Sequence, residues 1–221
     1  THQFGFRAGQ YIEFILKDGV RRSYSMANAP HLVKEAGVNG MELHIRHMPG
    51  GLFTDHVFGE MKPKDILRVE GPHGSFFLRE DSERPIVLLA SGTGFAPIKA
   101  IVEHMRFKGI TRPTVLYWGC RSRADLYLHD WAAQQAAECD WLRYMPVLSE
   151  PQAEEAWTGR TGFVHQAVLA DWPDLSRHEV YACGAPVMVQ AARQDFTAQA
   201  GLPDEFFYAD AVTSEADKHG N

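Results

Sequence analysis

The hydrophobic pattern changes near the middle of the chain and divides it into two regions. Before Asp81, apolar residues occur in short strand-like runs separated by Gly and Pro turns. After Pro85, continuous apolar runs alternate with segments in which apolar residues recur at helical spacing. Closely spaced short strands favour a small antiparallel barrel, whereas strand–helix alternation requires a mainly parallel sheet with right-handed crossovers. The sequence therefore predicts two domains, an antiparallel β-barrel followed by an α/β parallel sheet.

The first region is predicted to hold four strands and a single helix. Gly71-Pro72 and His73-Gly74 are typical turn dipeptides, and they mark the end of its last strand. The strand candidates are Tyr11–Leu16, Arg22–Met26, Met41–Arg46 and Ile66–Glu70, and the helix candidate is Leu52–Phe58.

The second region is predicted to hold five strands with helices between them. Pro186 stands where a first helical residue should, because proline fits the start of a helix. The strand candidates are Ile86–Ala90, Thr114–Gly119, Trp141–Leu148, Glu179–Cys183 and Phe206–Ala209, and helical patterns cover Phe95–Met105, Leu128–Ala136, Phe163–Trp172 and Pro186–Ala200.

A polar stretch over residues 81–84 separates the two patterns, and we place the domain boundary there. The predicted domains are residues 1–81 and residues 82–212, followed by a polar tail of residues 213–221. The chain starts at Thr1, directly before a strand-like segment, as if it were cut from a longer protein.

Charge and composition exclude several functional classes. The 22 Lys and Arg residues against 28 Asp and Glu residues give a net charge of −6 without any basic run, which argues against nucleic-acid binding. The longest apolar stretch, Ile86–Ala90, is far shorter than a membrane span, and the first residues do not form a signal peptide. Three scattered cysteines and isolated histidines favour neither disulfides nor a metal site. We therefore expect a cytoplasmic protein without metal.

Two candidate ligand sites lie in the first region. In the segment Arg22–Asn28, strand alternation places Arg22 and Tyr24 on one face, where an Arg can hold a pyrophosphate while the ring stacks on a planar heterocycle. A surface Arg beside a half-buried barrel Tyr explains the same pattern. The second candidate is the turn Gly50-Gly51 before a helix, with Thr54 close by, which suits an anion but is also a common turn.

Two further candidates lie at strand-to-helix turns in the second region. Gly92 and Gly94 fit the start of a phosphate-binding glycine loop, although Pro97 occupies the position of the last glycine. Cys183 ends another predicted strand, at the edge where parallel sheets bind ligands. A tight connection and a buried structural cysteine are the simpler explanations for these two features.

Taken together in this order, the motifs resemble the ferredoxin–NADP reductase superfamily. The resemblance covers residues 9–212 and is narrower for the reductase components of bacterial oxygenases and for CDP-6-deoxy-glucoseen-type reductases. The motifs that carry it are Arg22-Ser23-Tyr24-Ser25, Gly50-Gly51-Leu52-Phe53-Thr54, Gly92 to Pro97, Cys183 to Met188, and Tyr117 to Arg121 with Asp125-Leu126-Tyr127.

The resemblance implies an FAD-binding β-barrel and a Rossmann-like NAD(P)H-binding domain. By this resemblance Arg22 contacts the FAD pyrophosphate, Tyr24 packs on the flavin and Ser25 lies near its N5 atom. The remaining implied FAD contacts are the backbone of His44, Ile45 and Arg46, and a phosphate site at Gly50, Gly51 and Thr54.

The same resemblance places the nicotinamide at the carboxyl edge of the parallel sheet. Thr93 and Cys183 position the ring, and Asp210 stands where relatives carry a carboxylate near the flavin. Tyr24 and Cys183 then approach the two stacked rings from opposite walls. The other implied nucleotide contacts are Gly92, Gly94, Pro97, Gly184, Met188 and Arg121.

NADH is favoured over NADPH by the resemblance, although NADPH stays open. Arg121 and Arg123 can bind a 2′-phosphate, contact the ribose and pyrophosphate, or form a solvated loop.

The implied activity is hydride transfer from NADH to FAD, with single electrons passed to an iron–sulfur acceptor of an oxygenase or a deoxysugar dehydrase. We expect an iron–sulfur ferredoxin domain and the first barrel strand before Thr1. Val212 stands where relatives carry an aromatic residue that shields the flavin. Two alternatives are a flavin reductase that releases free reduced flavin, and a non-catalytic regulatory subunit that holds flavin or nucleotide.

Overall fold

The computed structural model describes residues 4–35 and 40–211. Val212 and the predicted tail of residues 213–221 lie outside the described residues. The strands are β1 (Tyr11–Ile15), β2 (Arg21–Ser25), β3 (Arg68–His73), β4 (Ile86–Ser91), β5 (Thr114–Cys120), β6 (Leu142–Leu148), β7 (Arg160–Thr161), β8 (Glu179–Gly184) and β9 (Phe207–Ala211). The helices are α1 (Pro30–Glu35), α2 (Leu52–Phe58), α3 (Phe95–Lys108), α4 (His129–Glu138), α5 (Val164–Asp171) and α6 (Pro186–Ala200).

The first region is built on a three-stranded antiparallel sheet in the order β2-β1-β3. Alternation along β1 buries Ile12 and Phe14, which pack with Met26 and Phe53 in a small core of their own. The rings of Phe14 and Phe53 stack with centroids 4.7 Å apart, so α2 is fixed against the sheet by aromatic packing.

Four predictions for the first region are wrong in detail. The segment Met41–Arg46 forms only an isolated bridge from Leu43 to Met26, because the backbone N–H of Glu42 is taken by the Asn28 side chain instead of a ladder partner. The last strand runs over Arg68–His73 rather than Ile66–Glu70.

The dipeptide Gly71-Pro72, read as a turn, lies inside β3. Within the described residues β3 pairs with β1 alone, so the missing N–H of Pro72 interrupts no second ladder. The pairing with β1 also shifts register between Tyr11 and Glu13 at this level. Helix α1 adds a second helix where one was predicted, and it begins at Pro30.

The second region is a six-stranded parallel sheet in the order β7-β6-β5-β4-β8-β9. Each strand predicted there is present within a few residues of its expected ends. The two-residue strand β7 was not predicted, since it is too short and polar to give a hydrophobic pattern. An antiparallel first region followed by a parallel second region confirms the predicted fold class.

Helices cover both faces of the parallel sheet. In β4, Leu88 and Ala90 face the core under α3 and α4, whereas Val87 and Leu89 face the core under α5 and α6. This two-sided burial explains why the strand reads as a continuous apolar run. Among the described residues no helix is long and apolar enough to cross a membrane.

The two regions share one core. Ala8, Phe76 and Leu78 belong to the first region, and they pack in the same buried cluster as α3 and β5. The boundary segment is held by the buried Arg112, which donates to the carbonyl oxygens of Arg79 and Arg84 at 2.8 Å each. The cleft between the two sheets therefore has walls that are fixed to one another.

Candidate active site

The carboxyl ends of the parallel strands form one side of the cleft. β4 lies between β5 and β8, because the chain continues from β4 through β5, β6 and β7 on one side and then returns to the other side of β4 with β8 and β9. In an open parallel sheet such a switch point leaves a crevice at the strand ends, where ligands bind. The turn Gly92–Gly94 follows β4 directly and leads into α3, so it lines this crevice.

The glycines at the ends of β4 and β8 differ in how much space surrounds them. A Cβ atom on Gly94 would overlap the carbonyl oxygen of Cys183, and one on Gly184 would overlap the Ser91 hydroxyl. Ser91 Oγ also accepts the backbone N–H of Ala185 at 3.0 Å, so the ends of β4 and β8 interlock. Gly92 differs, because it has a φ of 53° and a Cβ atom added to it would meet no other atom within 4 Å. The space beside its Cα atom is therefore open, although its backbone N–H contacts the Cys120 sulfur.

An aromatic stack supports the glycine turn from below. Trp118 is fully buried in β5, and its indole N–H donates to the carbonyl oxygen of Gly92 at 3.0 Å. The Phe95 ring stacks on Trp118 with centroids 3.9 Å apart and planes 9° apart. The turn is thus held through the Gly92 carbonyl oxygen by Trp118 and through the Gly92 N–H by Cys120.

Cys183 ends β8 beside this turn. Its side chain is fully buried, and burial with the neighbouring Asp210 charge raises its thiol pKa well above the usual value. The group is therefore a neutral thiol near pH 7. Asp210 lies directly beside it, since Cys183 and Asp210 are partners in the β8–β9 pairing.

Asp210 connects the parallel sheet with the first region. Burial raises the pKa of its carboxyl from 3.8 to about 6, and its charge contributes to the raised pKa of Tyr11 in β1. Tyr11 is in turn the cross-strand partner of Ser25, and directly opposed residues of an antiparallel pair lie on the same face. The structure therefore brings Asp210 to the side of the sheet that carries Tyr11 and Ser25.

We expect Asp210→Asn to change how stability depends on pH. The folded state raises this pKa, so the carboxyl contributes stability that is complete below pH 4 and is lost as pH rises through about 6. A pKa difference of this size corresponds to about 3 kcal/mol. Urea unfolding of cofactor-free protein between pH 4 and 8 should show wild type falling relative to the variant by up to that amount. A constant difference across this range would contradict the assignment.

Arg22 and Tyr24 lie on the first region's side of the molecule, on the inner face of β2. Arg22 is 7% exposed and donates to the Arg21 carbonyl oxygen at 2.9 Å, whereas Tyr24 is half-buried against Phe14 and Phe53. The alternation predicted for these two residues agrees with the burial of β2, in which Arg21 and Ser23 are exposed. The roles predicted for them at a flavin stay predictions.

The Gly50-Gly51 turn precedes α2 as expected, but its polar groups are largely used to fold the turn. The N–H of Gly51 donates to the Met48 carbonyl oxygen at 2.8 Å, and that of Gly50 to Asp55 Oδ2 at 3.1 Å. The buried Thr54 hydroxyl donates to the same Met48 carbonyl and accepts its N–H. Gly50 has a φ of 86° and open space at its Cβ position, so a ligand would meet backbone rather than a side chain there.

His44 reaches across the cleft. Its Nδ1 lies 2.6 Å from the Tyr127 hydroxyl, on the turn after β5, and its Nε2 lies 2.9 Å from Glu42 Oε2. Arg46, two residues on, is exposed, and its charge lowers the pKa of Cys120 against a larger effect of burial that leaves it raised to about 12. Arg46 therefore points its charge toward the carboxyl ends of the parallel strands.

The remaining predicted nucleotide contacts surround the same edge. Arg123 lies 3.8 Å from Asp130, and Arg121 is exposed with no ion pair among the described residues. Thr93, Pro97 and Met188 lie in the turn after β4, in α3 and in α6, with Pro97 buried and the other two half-buried. Among the described residues, no group of three or more His, Cys, Asp or Glu side chains is arranged to hold a metal ion.

Sequence reasoning missed the polar groups that join the two walls. Lys99 of α3 is 6% exposed, and its Nζ lies 2.9 Å from Glu42 Oε2 and 3.2 Å from Glu103 Oε2. A single Lys within the apolar run of α3 is a signal for a buried ion pair. Nothing local marks Glu42 as a partner of Lys99 or Tyr127 as the partner of His44, because the residues of each pair are far apart in the chain.

An antiparallel sheet joined across a fixed cleft to a parallel sheet, with a glycine turn at the switch point, is the architecture of two-domain flavin and nicotinamide nucleotide reductases. Family comparison agrees with this class. Residues 1–78 match the oxidoreductase FAD-binding domain, and residues 88–194 match the oxidoreductase NAD-binding domain. The chain belongs to the ferredoxin–NADP reductase superfamily, as the sequence motifs predicted.

Individual relatives differ in how much of their length the chain represents. It is 46% identical over 211 residues to the CDP-6-deoxy-L-threo-D-glycero-4-hexulose-3-dehydrase reductase of Yersinia pestis, covering 96% of this chain and 61% of that protein. The NAD(P)H-flavin reductase of Aliivibrio fischeri is 34% identical, over 93% of this chain and 86% of that protein. The crystal structure of the Amycolatopsis cytochrome P450 reductase GcoB superposes with a TM-score of 0.85 at 33% identity, over 97% of this chain and 63% of that one. The chain thus spans about three-fifths of the dehydrase reductase.

Proposed function

We propose that this chain binds FAD on the wall formed by its first region and NADH at the carboxyl edge of its parallel sheet, and that it acts as an NAD(P)H-dependent FAD oxidoreductase. The observation that supports this most directly is that the face of the antiparallel sheet carrying Ser25 and Tyr11 lies beside the Asp210 end of the parallel sheet.

The residues present fit both cofactors. Gly92 and Gly50 leave open space beside their Cα atoms, as close approach of a nucleotide requires. Arg22 supplies a guanidinium for a pyrophosphate, and Tyr24 supplies a half-buried ring for a planar heterocycle. The exposed cation Arg121 lies where a nucleotide phosphate or ribose would be held at the sheet edge.

When both are bound, a nicotinamide gives a hydride to a flavin, and the flavin can release the two electrons singly. The protein's contribution is to orient the two ligands and to exclude water between them. The turn at Gly92 and the end of β8 hold one ligand against the sheet, while the end of β2, which presents Tyr24 on one face and Ser25 on the other, holds the second ligand. Asp210 can hold or release a proton at its carboxyl oxygen near neutral pH, because burial places its pKa near 6.

The acceptor we propose is an iron–sulfur protein or domain, in the setting of an oxygenase or a sugar dehydrase. Its support is the similarity to the dehydrase reductase of Yersinia pestis and to the terephthalate 1,2-dioxygenase reductase component 1 of Comamonas, 36% identical over 97% of this chain. Reduction of cytochrome c by this chain and NADH should accelerate several-fold when a [2Fe–2S] ferredoxin is added. No acceleration by any such ferredoxin would argue against this acceptor class.

The first test is whether the chain holds FAD and is reduced by NADH. Purified protein should show a flavin absorbance spectrum that bleaches on anaerobic addition of NADH, and more slowly with NADPH. Arg22→Gln removes a charge-assisted contact worth about 1.5–3 kcal/mol, so FAD should bind about 10- to 100-fold more weakly.

Arg21→Gln is the matched control for this experiment. Arg21 precedes Arg22 on the same strand, but it is exposed and pairs with Glu70 at 2.9 Å on the face opposite to that of Arg22 and Tyr24. Its FAD affinity should equal that of wild type. Colourless wild-type protein that takes up no added FAD, or equal FAD loss in both variants, would contradict the proposal.

A second candidate function is a flavin reductase that releases reduced flavin. It is favoured by the relative from Aliivibrio fischeri, of which this chain covers 86%. The two functions differ in how tightly flavin is held. An electron-transfer reductase should keep FAD through gel filtration, whereas a flavin reductase should lose it and turn over added free flavin.

A further inference from the structure

The two walls of the cleft are joined by a continuous chain of polar contacts. The Tyr127 hydroxyl lies 2.6 Å from His44 Nδ1, and His44 Nε2 lies 2.9 Å from Glu42 Oε2. Lys99 Nζ contacts the same Glu42 oxygen at 2.9 Å. Tyr127 and Lys99 belong to the parallel-sheet region, and His44 and Glu42 belong to the first region, so the chain crosses the cleft twice.

The direction of each hydrogen bond follows from charge. Burial lowers the pKa of His44 and outweighs the opposing effect of Glu42, so the imidazole is neutral. Burial opposes ionisation of Glu42, but its contacts with Lys99 and His44 outweigh burial and lower its pKa, so it is a carboxylate. A carboxylate only accepts, so His44 carries its hydrogen on Nε2. Its Nδ1 must then accept the hydrogen of the Tyr127 hydroxyl.

The ring of Tyr127 is held from the other side by the aromatic stack. It meets Trp118 edge-on with centroids 5.2 Å apart, and it lies 6.3 Å from Phe95. Trp118 is the residue whose indole N–H holds the Gly92 carbonyl oxygen. Tyr127 therefore connects the glycine turn of one wall with His44 of the other.

We propose that Tyr127 is a positioning residue that sets the separation of the two cofactor sites through its hydrogen bond to His44. This inference rests on the proposed function and deepens it. The bond fixes the turn after β5 against the segment around His44, which the family resemblance places beside the flavin. Loss of the bond lets the turn after β5 shift locally relative to the segment around His44, while the shared core and the contacts of Lys99 with Glu42 and Ala27 still hold the two regions together. Hydride transfer depends steeply on the distance between reacting atoms, whereas nucleotide affinity depends on contacts within one wall.

The test compares Tyr127→Phe with wild type in rapid anaerobic mixing with NADH. The variant keeps the ring on Trp118 and loses only the hydroxyl. We expect the flavin reduction rate at saturating NADH to fall about tenfold, while the Kd values for FAD and NAD⁺ change less than twofold. An unchanged saturating rate, or a loss confined to the Kd values, would overturn the proposal. Wild type that NADH does not reduce would instead refute the proposed function.

A second variant removes the acceptor from the opposite wall. His44→Leu removes this bond together with the contact to Glu42, so it should slow reduction at least as much as Tyr127→Phe. The double variant should be no slower than His44→Leu alone, because the bond to Tyr127 is already absent there. If the fold reductions in rate of the two single variants multiply in the double variant, the two residues act separately. That result would refute the proposed hydrogen bond between the walls.

The matched control is Tyr144→Phe. Tyr144 makes a similar phenol–imidazole contact, 2.9 Å from His129 Nδ1, but both residues belong to the parallel-sheet region. Its reduction rate should equal that of wild type.

Hydrogen exchange of cofactor-free protein supplies a readout without turnover. Tyr127→Phe should speed exchange in residues 42–46 and 123–127, and Tyr144→Phe should leave residues 42–46 unchanged. Equal protection of residues 42–46 in wild type and Tyr127→Phe would contradict a bridge between the walls.

Discussion

Gly94→Ala should destabilise the protein by about 3 kcal/mol or more and abolish nucleotide binding at the sheet edge. Gly94 has a φ of −58°, which any residue adopts, so the substitution meets no conformational penalty. The added Cβ overlaps the carbonyl oxygen of Cys183 and also approaches the Gly184 Cα atom. Both are backbone atoms and cannot rotate away, so β4 and β8 must separate at their carboxyl ends. Urea unfolding and NAD⁺ titration by tryptophan fluorescence measure the two losses.

Gly92→Ala is the control in the same turn. Its Cβ would meet no atom within 4 Å, but its φ of 53° is unfavourable for alanine. The expected loss of stability is about 1 kcal/mol, from backbone conformation alone. Equal losses of unfolding free energy in the two variants would show that the close packing between the ends of β4 and β8 contributes no additional stability.

The parallel-sheet region could be predicted because its local signals are strong and agree with each other. A strand buried on both faces, such as β4 with its residues Ile86–Ala90, reads as an unbroken apolar run. A helix such as Pro186–Ala200 adds a proline at its start and a glycine, Gly201, at its end. These features depend on a few neighbouring residues, so they are visible without tertiary structure.

The first region was harder because its strands depend on partners distant in sequence. Leu43 has the alternating neighbours of a strand, yet Asn28 takes the N–H of Glu42 and leaves only a bridge. Pro72 reads as a turn residue, and only the position of β3 beside a single described partner allows it in a strand. Neither the hydrogen bond to Asn28 nor the pairing of β3 can be predicted from the residues next to it in the sequence.

The candidate site likewise contains residues that local sequence patterns could predict and contacts that they could not. Gly92 and Cys183 could be predicted, since they occupy recognisable positions at strand ends. The contact between His44 and Tyr127 joins residues 83 positions apart, and no periodicity relates them. The raised pKa of Asp210 likewise arises from burial that only the folded protein creates. Long-range polar contacts are therefore the part of the site that required the structure.

The boundary segment between the two regions is bound to the amino end of the parallel sheet, opposite the end that carries Cys183. Arg112 holds the boundary segment, and its NH2 group lies 2.9 Å from Glu179 Oε2 in β8. Tyr181 donates to the same carboxylate at 2.8 Å, and the Arg79 N–H donates to the Tyr181 hydroxyl at 2.9 Å. This network links the end of the first region to the strand that carries Cys183 at its other end.

Arg112→Met should therefore be among the most destabilising substitutions in the chain. Arg112 is 7% exposed and Glu179 is 1% exposed, so removing the cation leaves a carboxylate buried without its charge partner. Breaking such a pair costs about 3–5 kcal/mol. The carbonyl oxygens of Arg79 and Arg84 lose their donors as well. The unfolding free energy in urea at pH 7 measures this loss.

Two further variants separate the buried charge from general loss of packing. Arg112→Met combined with Glu179→Leu removes both charges, so it should recover part of the lost stability. Arg193→Met breaks a surface pair with Asp204, whose side chains are 45% and 68% exposed, and should cost at most about 1 kcal/mol. A double variant no more stable than Arg112→Met would show that the Arg112 contacts to the boundary segment, rather than the unpaired carboxylate, dominate. In that case the loss should appear chiefly as faster hydrogen exchange in residues 79–84.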